Sequence, residues 1–159
     1  MIEKEDGIKS TKATLLILAA ALTLICVMVA DSQGFDWPRW RGPDGNGISK
    51  ETDWNPQALA GGPRVLWNVN VGLGYSNVAI KEGRLYTMGC IGAKNAVWCL
   101  NAETGEKIWQ YSFDSGYDPQ STPTIEGDFI YTLSAAGILL CLNAQNGELR
   151  WKKELVPEY

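Results

Sequence analysis

The sequence predicts an all-β fold built from repeated four-stranded antiparallel units, and three observations lead to this prediction. The phrase LNAETGEKIW at residues 100–109 returns 42 positions later as LNAQNGELRW at residues 142–151. Trp67 lies 42 positions before Trp109, so Trp67, Trp109 and Trp151 form an evenly spaced series. Short β-type runs separated by turn signals fill each period, and stacked four-stranded units of this length are typical of a β-propeller.

Each cycle divides into strands and turns in the same way. A strand VLWNVNV at 65–71 comes first, and turns at Glu82-Gly83, Thr104-Gly105 and Asn146-Gly147 mark hairpins, because Gly and Asn tolerate positive φ. The first cycle has three more residues than the second around IGAKN (91–95), and we expect them at the hairpin tip. The strands predicted for the two cycles are 77–81, 84–90, 96–101 and 107–113, then 121–126, 129–134, 138–143 and 148–154.

The predicted sheets account for two blades plus one strand of an incomplete propeller at 65–159. Both faces of FIYTLS (129–134) carry apolar side chains, so each sheet is expected to be buried between two neighbours. A propeller closes with several such sheets. We therefore expect a fragment of a 7–8-bladed ring, completed by remaining blades from a longer chain or by self-association. Residues 31–64 are rich in Gly, Pro and Trp and are predicted to form an irregular lead-in.

The first 30 residues have the pattern of a signal peptide or signal anchor. Residues 13–30 are apolar or small without a charge, and lysines precede them. At 18 residues the run reaches the lower limit for crossing a bilayer, about 17–25 residues, so a membrane anchor is an alternative to cleavage. Cys26 would suit lipidation, although Ile25 stands where a small residue is needed. The predicted location is exported, periplasmic or cell-envelope, with membrane anchoring through 13–30 open.

Composition excludes several function classes. The chain has no histidine, which excludes His-based metal sites, Ser-His-Asp machinery and imidazole acid–base catalysis. Its net charge of −4 gives no basic surface, so nucleic acid is not an expected partner. Three cysteines, Cys90, Cys99 and Cys141, follow the signal segment, so at least one is expected to be unpaired. A Cys90–Cys99 disulfide stays an alternative, subject to geometry.

The repeated phrase, read as CLNAETGEKIW and CLNAQNGELRW, resembles the tryptophan-docking motif of pyrroloquinoline-quinone-type (PQQ-like) propeller repeats. In that family a small residue, x, Asp, x, x, Thr, Gly, three residues and Trp follow one another. The matching residues are Thr104, Gly105, Trp109, Gly147 and Trp151, whereas Asn101 and Asn143 replace the aspartate, Cys99 and Cys141 the small residue, and Asn146 the threonine. The lead-in DWPRWRGPDGNGIS (36–49) and the following 74–89 also resemble the start of exported PQQ-like propeller proteins.

Two groups of residues are candidate sites. The resemblance implies that the tryptophans dock onto the next blade, although they could form a stacking platform for a planar ligand. This structural repeat motif comprises Asn101, Thr104, Gly105, Trp109, Asn143, Gly147, Trp151 and Trp67. The lead-in cluster Trp37, Arg39, Trp40 and Arg41 could bind an anion or a glycan. It could instead be a Trp/Arg stack that pins the lead-in to the blades, where each cation–π contact adds roughly 0.5–2 kcal/mol.

The functional expectation is an exported binding or scaffold module of the cell envelope with a protein or glycan partner. No catalytic residue, cofactor or metal ligand is assigned among the residues present. Asp44–Gly47 suggests a calcium loop, but Ser49 and Asn55 stand where the EF-hand pattern needs Gly and Glu, so a turn is predicted. One alternative is the N-terminal part of a PQQ-dependent alcohol or sugar dehydrogenase, with PQQ and calcium as cofactors. Another is a membrane-anchored sensor propeller.

Overall fold

The computed structural model describes residues 36–52 and 55–155 of the chain. Within these ranges it contains two four-stranded antiparallel sheets and one short 3-10 helix, Pro56–Leu59. The predicted signal segment 1–30 lies outside the described residues. Among the helices that are described, none has the length and apolar content needed to cross a bilayer. The all-β class predicted from the sequence is confirmed.

Each sheet is an up-and-down meander, because short hairpin turns connect strands that are neighbours in sequence. The strand order is β1-β2-β3-β4 in the first sheet and β5-β6-β7-β8 in the second. The strands are β1 Ala79–Lys81, β2 Arg84–Ile91, β3 Lys94–Asn101, β4 Lys107–Asp114, β5 Thr124–Glu126, β6 Phe129–Leu133, β7 Ile138–Asn143 and β8 Leu149–Glu154. Every predicted strand of the two cycles is therefore present, with bounds that differ from the predicted ones by at most three residues.

The two sheets repeat one another in side-chain detail. Tyr86, Cys99 and Trp109 form a cross-strand row in the first sheet, and the second sheet has the corresponding row of Tyr131, Cys141 and Trp151. In both rows the tyrosine and tryptophan ring centroids are 6.0 Å apart with an interplanar angle of 48°. A register shift follows the cysteine in both sheets. The 42-residue period is thus a repeat of one packing unit.

The main core lies between the two sheets. Val97 and Cys99 of the first sheet are fully buried, as are Ile130, Leu140 and Leu142 of the second. Because side chains alternate across a strand, Ala96, Trp98 and Leu100 face the other way. Apolar burial on both faces of β3 explains why its sequence shows no clean alternation between apolar and polar residues.

The segment 65–71, predicted as a strand, is not paired as one in this structure. It has no ladder with another strand among the described residues, and Val65 and Leu66 are exposed. Its apolar side chains Trp67, Val69 and Val71 instead cover the outer face of the first sheet. Alternating apolar residues were sufficient to predict an extended chain, but a strand also requires a pairing partner.

The extra residues of the first cycle are not at the hairpin tip, contrary to the expectation for 91–95. Strands β2 and β3 pair over eight rows, from Arg84↔Asn101 to Ile91↔Lys94, and leave a two-residue turn. Strands β6 and β7 pair over only five rows, from Phe129↔Asn143 to Leu133↔Leu139. The insertion therefore lengthens the hydrogen-bonded arms, since each added row supplies its own ladder bonds.

Replacing Gly89 with alanine is expected to push segment 65–71 away from the first sheet. A Cβ at Gly89 would clash with the carbonyl oxygen of Val71, a contact that only a backbone movement can relieve. Overpacking of this kind costs about 1–3 kcal/mol. Thermal denaturation should show the loss, and limited proteolysis should cut faster within 65–71. Gly61→Ala is the matched control, because nothing lies within 4 Å of its added Cβ. Equal stability of the two variants would contradict this packing.

Candidate functional site

The repeated phrase forms a tight turn that is held by its own asparagine. The side-chain oxygen of Asn101 accepts the backbone N–H groups of Glu103 and Thr104, both at 2.9 Å. Asn143 does the same in the second sheet, with distances of 2.8 and 3.2 Å to the two corresponding N–H groups. An amide oxygen thus makes the turn bonds that the aspartate of the family motif would make, without placing a negative charge there.

The glycine of each turn contacts the ring of a tryptophan from the preceding repeat. Gly105 and Gly147 have φ values of +73° and +74°, which residues with a side chain rarely adopt. A Cβ on Gly105 would lie 2.6 Å from the ring of Trp67, and one on Gly147 would lie 2.6 Å from the ring of Trp109. The indole N–H of Trp67 donates to the carbonyl of Ala102 at 3.2 Å.

Trp109 binds to its turn in the same manner, since its indole N–H donates to the carbonyl of Ala144 at 3.0 Å. Two successive tryptophans therefore dock with one geometry, in which the ring lies on a glycine and the indole bonds to a carbonyl three residues before it. This arrangement occupies one face of each ring and the indole N–H group. Trp109 is 8% exposed and has no free face for a planar ligand, whereas Trp67 is only partly buried.

Trp151 is the third member of the series, and no turn covers it among the described residues. It is 43% exposed, whereas Trp109 is 8% exposed. The rest of that face follows the same contrast: Leu133 is 39% exposed, and Met88 at the corresponding position is 2% exposed. The outward face of the second sheet thus repeats a face that is buried in the first sheet. We call it the open face, and its residues are Phe129, Tyr131, Leu133, Cys141 and Trp151.

The lead-in cluster bonds to the first strand of each sheet, β1 and β5. Trp37 exchanges two backbone hydrogen bonds with Ile80 of β1, at 2.8 and 2.9 Å. The next residue, Pro38, accepts the N–H of Ile125 in β5 at 2.8 Å. The Trp37 ring packs on Gly42, where a Cβ would lie 2.7 Å from it. The lead-in is therefore held by main-chain bonds to both sheets.

The two arginines of this cluster bond to carbonyl groups of the lead-in. Arg39 donates to the carbonyl of Pro43 at 2.8 Å, and Arg41 donates to that of Asn46 at 3.2 Å. The expected Trp/Arg cation–π stack is not found among the described residues, where the cation–π pair is Lys107 over Trp98 at 5.8 Å. Trp40 is 61% exposed and leaves its indole accessible to a partner.

The three cysteines in the described part of the chain are unpaired thiols. Cys90 lies opposite Asn95 and Cys99 opposite Tyr86, so the register keeps the two apart and the alternative disulfide is not formed. Cys99 and Cys141 are buried at corresponding positions beside the tryptophan of each sheet. Burial raises the pKa of both thiols, which therefore stay protonated and act as small packing residues.

Buried Tyr86 predicts a loss of stability at alkaline pH. Burial, with Cys99 adding to it, raises the pKa of Tyr86 above its usual value, and the hydroxyl donates to the carbonyl of Ala144 at 3.3 Å. The folded state thus keeps a proton that the unfolded chain loses near pH 10, so stability falls as pH rises above about 10. Urea denaturation between pH 7 and 11 should show this fall, and Tyr86→Phe should make it shallower. An unchanged slope in Tyr86→Phe would contradict the assignment.

A cleft of about 380 Å³ lies between the β2–β3 hairpin and the loop 115–118. Its lining includes Cys90, Asn95, Tyr117 and Asp118. Asn95 is 1% exposed, and its amide N–H donates to the carbonyl of Tyr117 at 2.9 Å, which fixes the loop against the hairpin. Sequence reasoning missed this cleft, although the pair Gly-Tyr at 74–75 and again at 116–117 repeats with the same 42-residue period.

The stacked four-stranded sheets and their docked tryptophans define a propeller-type repeat protein. A family model described as outer membrane protein assembly factor BamB matches residues 57–158, and the chain belongs to this family of PQQ-like repeat proteins. No curated protein matches the sequence.

Solved structures that share the fold include the following two. BamB from Moraxella catarrhalis is 19% identical with a TM-score of 0.51, and the match covers 60% of this chain and 28% of that one. Quinohemoprotein alcohol dehydrogenase from Comamonas testosteroni is 17% identical with a TM-score of 0.61, covering 80% of this chain and 20% of that one. The chain thus spans less than a third of the length of either structure. At these identities the likeness concerns the fold alone, so it favours neither a scaffold nor an enzyme.

Proposed function

We propose that this chain is part of an exported β-propeller that serves as a binding or scaffold module of the cell envelope. The observation that supports the proposal is that the residues of the repeat motif pack one sheet on the next. Trp67 and Trp109, with the glycines beneath them, are occupied in packing one unit on the next. The family description, an outer membrane protein assembly factor, gives a precedent for a protein partner.

The open face supports a larger ring of similar sheets. In the first sheet the corresponding face is covered by the second sheet, whose Gly147 turn receives Trp109. A further sheet with the same turn would cover Trp151 in that manner. Either later residues of a longer chain or a second copy could supply it. Segment 65–71 lies on the opposite side of the two sheets and is also without a pairing strand among the described residues. Its extended backbone could become the outer strand of a neighbouring sheet in the ring.

The alternative is a PQQ-dependent dehydrogenase that uses calcium, as the fold of the quinohemoprotein alcohol dehydrogenase would allow. An activity assay separates the two. The protein purified from its source cells, incubated with PQQ and calcium and offered alcohols and sugars, should reduce an electron-acceptor dye no faster than a sample without PQQ. A PQQ-dependent rate about tenfold above that background would overturn the scaffold proposal.

Cell fractionation tests the predicted location and the sensor alternative. The protein should be found in the exported fraction, and alkaline carbonate extraction should release it if residues 1–30 are cleaved as a signal. Retention in the membrane pellet would favour the anchor through 13–30. Recovery of the protein in the cytoplasm would contradict the proposal.

Cross-linking tests for a partner. A photoreactive amino acid in place of exposed Trp40 should cross-link to an envelope partner.

A further inference from the structure

We infer that the cleft between the β2–β3 hairpin and the loop 115–118 is a saccharide-binding site, with the ring of Tyr117 as its stacking platform. The inference deepens the proposed binding role and rests on it. It names the ligand as a neutral saccharide, and it places that ligand on the loops at one end of the sheets rather than on the repeat motif.

Two exposed tyrosines mark these loops. Tyr117 is 66% exposed and Tyr75 is 79% exposed, and they occupy the same position in successive 42-residue periods. The two loops are in contact, because the N–H of Tyr75 donates to the carbonyl of Pro119 at 2.8 Å. Large aromatic residues that serve packing are buried, as Trp109 is. Tyr75 and Tyr117 are exposed instead, on two loops that are hydrogen-bonded to each other. Each ring offers a flat apolar surface with a polar hydroxyl, which suits ligand binding.

The polar groups of the cleft are hydrogen-bond acceptors and a fixed amide. Asp118 is exposed and makes no ion pair with a described residue, so its carboxylate can accept hydroxyl groups. Asn95 is held by its bond to the backbone of Tyr117. No lysine or arginine lines the cleft, and the chain has a net charge of −4, which disfavours an anionic ligand. An aromatic face beside acceptors matches the apolar face and the hydroxyl edge of a neutral sugar.

A peptide ligand fits this cleft less well. Peptides that add to a sheet need a strand edge with free main-chain groups. The edge beside the cleft is already used, since Cys90 and Leu73 exchange backbone hydrogen bonds at 2.6 and 2.9 Å. The volume of about 380 Å³ lies at the small end of the range for small-molecule sites, about 300–1,000 Å³. One or two sugar units are therefore the expected occupants.

The chemistry of the cleft favours binding over reaction. Burial and the neighbouring carboxylate of Asp118 raise the pKa of the Cys90 thiol. A protonated thiol is a weak nucleophile and a weak hydrogen-bond donor. Cys90 thus contributes a small polar surface to the wall of the cleft.

The test uses the full chain and a panel of immobilised neutral oligosaccharides, namely cello-, N-acetyl-chito- and malto-oligosaccharides. At least one class should retain the protein. Tyr117→Ala should weaken that binding about tenfold, which corresponds to about 1.4 kcal/mol. Tyr117→Phe keeps the ring and should bind within about threefold of the parent. Ile48→Ala alters an exposed residue that does not line the cleft and should bind as the parent does. Unchanged tryptophan fluorescence in each variant shows that the fold is intact.

The inference is overturned if no saccharide retains the protein, if Tyr117→Ala binds as tightly as the parent, or if a peptide library binds the cleft in place of the sugars. These results are distinguishable from a failure of the proposed function. A chain without PQQ-dependent activity that also binds no saccharide loses only the ligand assignment. A chain with that activity loses the scaffold role itself.

Discussion

Gly147→Ala is expected to destabilise the protein by about 2–5 kcal/mol. Two costs add at this residue. Its φ of +74° is left-handed, which costs a residue with a side chain roughly 1–2 kcal/mol. The new Cβ would also lie 2.6 Å from the ring of Trp109, and overpacking of a core contact adds about 1–3 kcal/mol. Urea denaturation followed by tryptophan fluorescence measures the loss as a lower transition midpoint.

Gly127→Ala separates the two costs. Gly127 also has a positive φ, of +56°, but nothing lies within 4 Å of an added Cβ. This variant should therefore lose only the backbone contribution, about 1–2 kcal/mol. The excess loss in Gly147→Ala reports the tryptophan contact. If both alanine variants lost the same stability, Trp109 would not be docked on the turn.

The second large effect is expected from Trp109→Ala, at about 3–5 kcal/mol, the usual cost of truncating a buried tryptophan. Trp109 is 8% exposed and also donates a hydrogen bond to Ala144, whose carbonyl would lose that partner. Trp151→Ala removes the same atoms at the corresponding repeat position. Because Trp151 is 43% exposed, its loss should cost less than about 1.5 kcal/mol.

The comparison is made in the 159-residue chain at concentrations where it is monomeric. The two tryptophans then differ in the unit that covers them and in little else, since each packs on a tyrosine with its centroid at 6.0 Å. Equal destabilisation by both substitutions would show that something already covers the open face in the monomer.

Local signals in the sequence were sufficient to predict the sheets. Turns with glycine at a position that needs positive φ, such as Gly105 and Gly147, fix where one strand ends and the next begins. The regular spacing of Trp67 and Trp109 predicted their equivalence, and both rings do lie on glycine turns. The turns depend on residues close together in the chain, and the fixed period marks the tryptophans as equivalent although each docks on a turn farther along the chain.

Features that depend on distant partners could not be predicted. Segment 65–71 has the composition of a strand, but its pairing requires another strand that the described residues do not offer. The lead-in joins β1 and β5 through main-chain bonds of Trp37 and Pro38, and such bonds leave no side-chain pattern. The cleft arises where a hairpin meets a loop more than twenty residues away, as the bond from Asn95 to Tyr117 shows.

We propose that these two sheets belong to a larger ring in which the open face is covered. Hydroxyl-radical footprinting of the tryptophans tests it most directly, on the protein purified from its source cells and under native conditions. In the ring, Trp151 should be protected as strongly as Trp109, which is already 8% exposed within the two sheets. Trp40, 61% exposed, is the reactive reference. Oxidation of Trp151 at a rate near that of Trp40 would show that the open face stays bare, and would contradict the ring.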